Sequence, residues 1–114
     1  MYLMLGTRPD LAYSIMALSQ HAATPGPVHW DAMMRVYRYI RGTTNTHLVF
    51  QRGAQKSPLI GYTDADWAND SNDRRSISGH AFLMSGAAVS WSSQKQRVIA
   101  QSSTEAEYLS LIHI

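Results

Sequence analysis

The sequence predicts an α+β chain: two amphipathic helices, then a strand, a β-hairpin and the start of a further helix. Three observations predict it. Apolar residues recur at helical spacing up to Gly42, the period then shortens to that of strands, and a hydroxyl–acid capping pattern opens the last segment at Ser102. A hydrophobic content of 45% with 16% charged residues over 114 positions describes a folding chain rather than a disordered one.

The first helix is expected from Pro9 to Ala22. Thr7 stands as its hydroxyl N-cap, Pro9 and Asp10 suit its first turn, and Leu11, Ile15 and Leu18 follow at helical spacing. Thr24, Pro25, Gly26 and Pro27 stop it. A second helix begins at Pro27, with Trp30, Met33, Tyr37 and Ile40 on one arc, Arg35 and Arg38 opposite, and Gly42 as C-cap. After it come strand candidates at His47 to Phe50 and Leu59 to Thr63, then Gly79 to Ser85 and Ala88 to Ser92 joined tightly at Gly86. Ser102 and Glu105 then form a capping box.

Charge divides the chain. Residues 1–55 hold five arginines (Arg8, Arg35, Arg38, Arg41, Arg52) against Asp10 and Asp31, whereas residues 56–114 hold six acids against five bases. The arginines Arg35, Arg38 and Arg41 admit two readings: the solvated side of an amphipathic helix, with Asp31 an i,i+4 partner of Arg35, or contacts to nucleic-acid phosphate. The five histidines form no pair at metal-ligand spacing and read as surface or structural, and the methionines as core filler. The absence of cysteine excludes disulfides and thiolate metal sites and fits a reducing compartment. The first ten residues show neither a signal peptide nor a membrane span, so an intracellular, non-secreted place without membrane partners is expected.

Residues 61–76, GYTDADWANDSNDRRS, concentrate four aspartates: Asp64, Asp66, Asp70 and Asp73. A calcium loop of EF-hand type fails, because counting from Asp64 puts Ala68 at position 5, Asn69 where glycine is needed and Arg75 where the glutamate belongs. The glycosylation sequon Asn69-Asp70-Ser71 has no secretory signal to support it. Asp70 and Asp73 suit a polar turn whose side chains bond their own backbone. Asp64 differs, since it closes an apolar strand, and a carboxylate held there calls for a cation. The acids available downstream are Glu105 and Glu107. Strand aspartate plus helix glutamate makes half of a magnesium site for phosphoryl chemistry.

The segment GYTDADWANDSNDRRSISGHAFLMSGAAVSWSSQKQ followed by SSTEAEY closely resembles the ribonuclease H domain of copia-type (Ty1/copia) retrotransposon Pol polyproteins. TRPDLAYSIMALSQHAATPGPVHWDAMMRVYRYIRGT resembles the stretch just upstream, at the end of the reverse transcriptase region. The resemblance runs from about Tyr2 to Leu111. It implies a reverse transcriptase C-terminal segment over 1–55 and a partial ribonuclease H-like fold over 56–114, in a family whose full domain is a mixed five-stranded sheet flanked by helices.

That family cuts the RNA strand of RNA–DNA hybrids with two magnesium ions. The resemblance places a metal-binding, catalytic aspartate at Asp64 and a metal-binding, catalytic glutamate at Glu107, with Glu105 as the capping acid. It also implies later aspartates, one in a DNQSA-like motif, that this sequence does not contain. The chain is therefore expected to be a truncated Pol fragment, inactive alone, with weak magnesium binding and an unpaired edge on the Leu59 to Thr63 strand. The competing expectation is a non-catalytic fragment that binds nucleic acid or another Pol-derived chain.

Overall fold

The computed structural model describes residues 1–71 and 73–112. Its elements are α1 (Tyr2–Gly6), a 3₁₀ turn (Pro9–Leu11), α2 (Ala12–Ser19), α3 (Pro27–Gly42), β1 (Ile60–Asp66), β2 (Ile77–Met84), β3 (Ala87–Lys95) and α4 (Ser103–Ile112). The architecture is α+β, and the chain divides into two compact units, Met1–Leu48 and Val49–Ile114. The expected fraying at His113 and Ile114 lies outside the described residues, as does Asn72 of the acidic cluster.

In the first unit the helix expected from Pro9 to Ala22 is a 3₁₀ turn followed by α2, which ends at Ser19, and an unexpected short helix, α1, precedes it, separated from it at Arg8. A residue before proline avoids the helical region, and Arg8 is accordingly extended at φ −126°, ψ 77°. Thr7 therefore caps nothing downstream; its hydroxyl donates back to the Leu3 carbonyl and closes α1. Arg8 instead ties the unit together. It donates to both Asp10 oxygens at 3.1 and 2.8 Å and to the Thr43 hydroxyl at 2.5 Å, and it lies 5.7 Å from the centre of the Tyr39 ring. Tyr39 donates its hydroxyl to Asp10 at 2.7 Å. These bonds, Arg8 first, hold the Asp10 carboxyl down to about 2. The pair's contribution is thus complete above the ordinary carboxylate range and is lost as pH falls toward that value.

Helix α3 starts where Pro27 and an extended Gly26 place it, and the Gly26 N–H donates to His29 Nδ1 at 2.8 Å. Its half-buried residues are His29, Ala32, Met33, Met34, Val36 and Ile40, a stripe rotated from the expected arc. Trp30 and Tyr37 are left 67% and 59% exposed. The rotation follows from the partner: α2 offers small and medium side chains, and His21 stacks on His29 with ring centroids 4.0 Å apart, a pairing that linear spacing concealed. The expected Asp31–Arg35 pair does not form, and Thr43 rather than Gly42 occupies the C-cap, its hydroxyl donating to the Tyr39 carbonyl.

The second unit is a three-stranded antiparallel sheet in the order β1-β2-β3, so β1 pairs with β2 alone among the described residues. Residues 47–50 do not form the expected strand. They lead into a loop tied to the hairpin by the Gln51 N–H on the Ser85 carbonyl and by Gln55, which donates to the Leu83 carbonyl and accepts from the Gly86 N–H. Those bonds draw residues 49–55 into the second unit, upstream of the division expected at residue 55.

Gly61 lies opposite Phe82, whose ring stands where a β-carbon on Gly61 would be. Met1 and Met84 are exposed rather than core. Helix α4 opens on the expected Ser102 cap, but the reciprocal bond of the capping box is shifted by one residue, to the N–H of Gln101. The Glu105 N–H donates to Ser102 Oγ, and the Glu105 carboxylate accepts from the Gln101 N–H.

The hairpin turns through Ser85 and Gly86, both with positive φ (53° and 84°), the signature of a type I′ turn. Asparagine suits the first of these positions better than serine, and a β-carbon at Gly86 would meet Ala54 at 2.8 Å. In urea titrations Ser85→Asn is expected to raise stability by a few tenths of a kcal/mol, and Gly86→Ala to lower it by about 1–2 kcal/mol. Equal midpoints for both variants would contradict the turn.

Candidate functional site

The four aspartates of residues 64–73 separate by what they touch. Asp66, the last residue of β1, and Asp70, in the loop that links β1 to β2, are both bonded to that loop. Asp66 accepts from Asn69 Nδ2 at 2.5 Å, while the Asp70 carbonyl accepts from the Arg74 N–H and the Asp70 N–H donates to the Arg75 carbonyl. Left-handed Ala68 and Arg74 let the chain turn so sharply, with the Ala68 N–H donating to the fully buried Ser76 hydroxyl. The turn reading of Asp70 and Asp73 needs correction. Asp73 does accept from the Arg75 N–H, but both carboxylates also close on Lys95 at the end of β3, at 2.5 and 2.8 Å. Lys95 holds the Asp73 carboxyl below its usual range, and Asp70 first, then Asp73, pushes the Lys95 ammonium up.

Asp64 is the exception. It lies inside β1 rather than at its mouth, opposite Gly79, a residue with no side chain to crowd it. Its exposed carboxylate accepts the Ala65 N–H through Oδ1 at 2.9 Å and has no cationic partner among the described residues. Glu107 is likewise exposed and without an ion pair there, in the second turn of α4.

Helix α4 packs mainly on β1. Two polar contacts that the sequence did not announce hold it there. Ser110, 3% exposed, donates its hydroxyl to the Asp64 carbonyl at 3.1 Å. Gln96, 4% exposed, donates Nε2 to both Ser78 Oγ at 2.7 Å and the Ala106 carbonyl at 2.9 Å. Glu107 thus follows one anchored residue and precedes another by a single turn. The structure gives the strand of Asp64 and the helix of Glu107 a shared contact.

Two carboxylates free of protein cations suit one hydrated magnesium ion, which commonly takes one or two protein carboxylates. Among the described residues no group of three or more acidic, histidine or cysteine side chains is arranged to hold a metal. His21 and His29 stack face to face, and His29 Nδ1 is already taken by Gly26. In the first unit Arg35, Arg38 and Arg41 are all exposed and form no ion pair among the described residues. No helix among the described residues is long and apolar enough to cross a membrane.

The chain is similar over most of its length to known proteins. It is 53% identical over 111 residues, 97% of this chain and 78% of the relative, to the secreted RxLR effector protein 161 of Plasmopara viticola. It is 46% identical over 109 residues to the retrovirus-related Pol polyprotein from transposon TNT 1-94 of Nicotiana tabacum, and 44% identical over 105 residues to that from transposon RE2 of Arabidopsis thaliana. These matches take in 96% and 92% of this chain but only 8% and 7% of the polyproteins. No family model matches the chain, and no solved structure matches it.

Lys95 is the cation on which the acidic loop closes, so Lys95→Met is expected to lower the thermal midpoint of the second unit at neutral pH. Because Asp73 is held below its ordinary value near 4, that part of the stability is present above this value and disappears as pH falls through the lower folded one. Melting curves of the two proteins should converge in strong acid. A constant difference from pH 7 to pH 2 would show that the ion pairs are not responsible.

Proposed function

The chain belongs to the family of copia-type retrotransposon Pol polyproteins, and we propose that its second unit corresponds to the ribonuclease H part of such a polyprotein. One observation carries the reading. Of the aspartates clustered at 64–73, Asp70 and Asp73 close on Lys95 and Asp66 takes the Asn69 side-chain amide, whereas Asp64 accepts only its neighbour's backbone N–H and lies in the strand against which the helix of Glu107 is anchored. In this reading Asp64 and Glu107 hold one magnesium ion. The Ala65 N–H fixes one oxygen of Asp64 and leaves the other for the ion. When bound, the ion would supply Lewis-acid polarisation of a phosphodiester. A hybrid RNA–DNA duplex is the substrate class. Two carboxylates without a third cannot organise the paired ions of efficient in-line displacement, so the unit by itself binds metal weakly and is inactive.

The unpaired charges of Arg35, Arg38 and Arg41 favour a second, non-catalytic reading, in which α3 contacts nucleic-acid phosphates. The free edge of β1 would similarly accept a strand from another Pol-derived chain. An intracellular place accords with the Pol relatives, while the effector relative is named as secreted.

Purified protein incubated with a labelled RNA–DNA hybrid and magnesium is expected to leave the RNA strand intact. Robust cleavage that disappears in Asp64→Asn would overturn the claim of inactivity. For the second reading, replacing Arg35, Arg38 and Arg41 with glutamine is expected to weaken hybrid binding and flatten its salt dependence, the slope falling by about 0.9 for every phosphate no longer neutralised. Binding unaffected by the triple substitution would discard α3 as the contact surface.

A further inference from the structure

We infer that Gln96 and Ser110 are positioning residues that set the register of α4 on β1 and thereby hold Glu107 to Asp64; this rests on the reading of those two carboxylates as a metal pair. The buried stripe of α4 consists of Ala106 and Ser110, four residues apart on one face. Such small side chains permit close approach but offer no protruding shape to stop the helix sliding or rolling. Direction has to come from hydrogen bonds.

The bond from Gln96 is supplementary to what secondary structure needs. Within a helix the Ala106 carbonyl already accepts from the N–H four residues later, so the bond from Gln96 uses its second lone pair. A carbonyl can only accept, which orients the Gln96 amide with its nitrogen toward α4. The orientation leaves Gln96 Oε1 buried with no protein partner. A buried amide with an unpaired acceptor carries a desolvation penalty that an apolar side chain of similar volume would avoid. Gln96 is therefore poorly explained by stability and well explained by aim.

The backbone at Gln96 is itself fixed, its N–H donating to the carbonyl of fully buried Ser76 at 2.8 Å. One bond thus comes from the β2–β3 side and the other, from Ser110, goes to β1 at Asp64 itself. Together they restrict both translation and rotation of the helix. A slip of one residue moves a side chain about 1.5 Å along the axis and about 100° around it, enough to change where Glu107 stands relative to the strand of Asp64.

The test uses Mn²⁺ alone as a paramagnetic probe in titrations of the isotope-labelled full chain. Wild type is expected to lose the amide signals around Asp64 and Glu107 together, with one dissociation constant. Ser110→Ala and Gln96→Met are expected to raise that constant about tenfold and to retain broadening near Asp64 while losing it near Glu107. Ser110→Thr, which keeps the hydroxyl, should restore the joint pattern. Unchanged affinity and joint broadening in a folded Ser110→Ala protein would overturn the positioning role and leave the metal pair standing. Absence of broadening in wild type, or its persistence in Asp64→Asn, would remove the metal pair and the positioning role with it. Ser110→Ala deletes a single oxygen, so the test survives even where Gln96→Met fails to fold.

Discussion

The second unit depends on the clasp that Gln96 makes between its sheet and α4. Little else in it is fully buried: the closed apolar positions among the described residues are Ala87, Ala100 and Ala106, none large enough to dominate a core. A sheet of three strands with one helix on it cannot rely on area alone when the buried side chains are this small. Hydrogen bonds aimed from Gln96 and Ser110 supply the specificity, and Trp67 adds a third by donating its indole N–H to the carbonyl of buried Ala100. The first unit follows the same pattern with different chemistry. There Arg8 gathers Asp10, Tyr39 and Thr43 around one guanidinium.

Much of the local structure was legible in the sequence because local chemistry decides it. Pro27 starts α3, Ser102 and Glu105 open α4, and Gly86 turns the hairpin, each through backbone geometry that needs no distant partner. The failures are tertiary. The face of α3 was misjudged because the aromatic residues Trp30 and Tyr37 weigh heavily in any apolar arc, whereas α2 accepts the smaller neighbours. Residues 47–50 have strand-forming side chains but find no strand to pair with. The break at Arg8 was available in principle from the restriction that proline places on its predecessor.

The candidate site was half legible. Asp64 stood out as an acid in an apolar run, and the resemblance drew attention to Glu107. Neither pattern nor composition could reveal that Lys95 neutralises Asp70 and Asp73 across 25 and 22 positions of chain, or that a glutamine would be buried beneath the helix. Polar residues in a sequence read as surface, and only the packed structure separates those that face water from those that fasten one element to another. The acidic cluster consequently resolves into three kinds of carboxylate: Asp66 bonded to the side chain of Asn69, Asp70 and Asp73 joining β3, and Asp64 bonded only to the neighbouring backbone N–H.

The position of β1 in the sheet gives that last carboxylate an unusual setting. β1 is an outermost strand, paired with β2 alone among the described residues, and the candidate ligand is carried by the strand itself rather than by a loop above it. One of the two outer edges of the sheet and the proposed ligand Asp64 therefore share the same seven residues. Any chain that extends the sheet at this edge enters the neighbourhood of Asp64, contributing its own side chains there or screening the carboxylate from solvent. In the proposed reading, assembly and metal binding would compete for one piece of backbone, and whichever occupied it would alter the terms for the other.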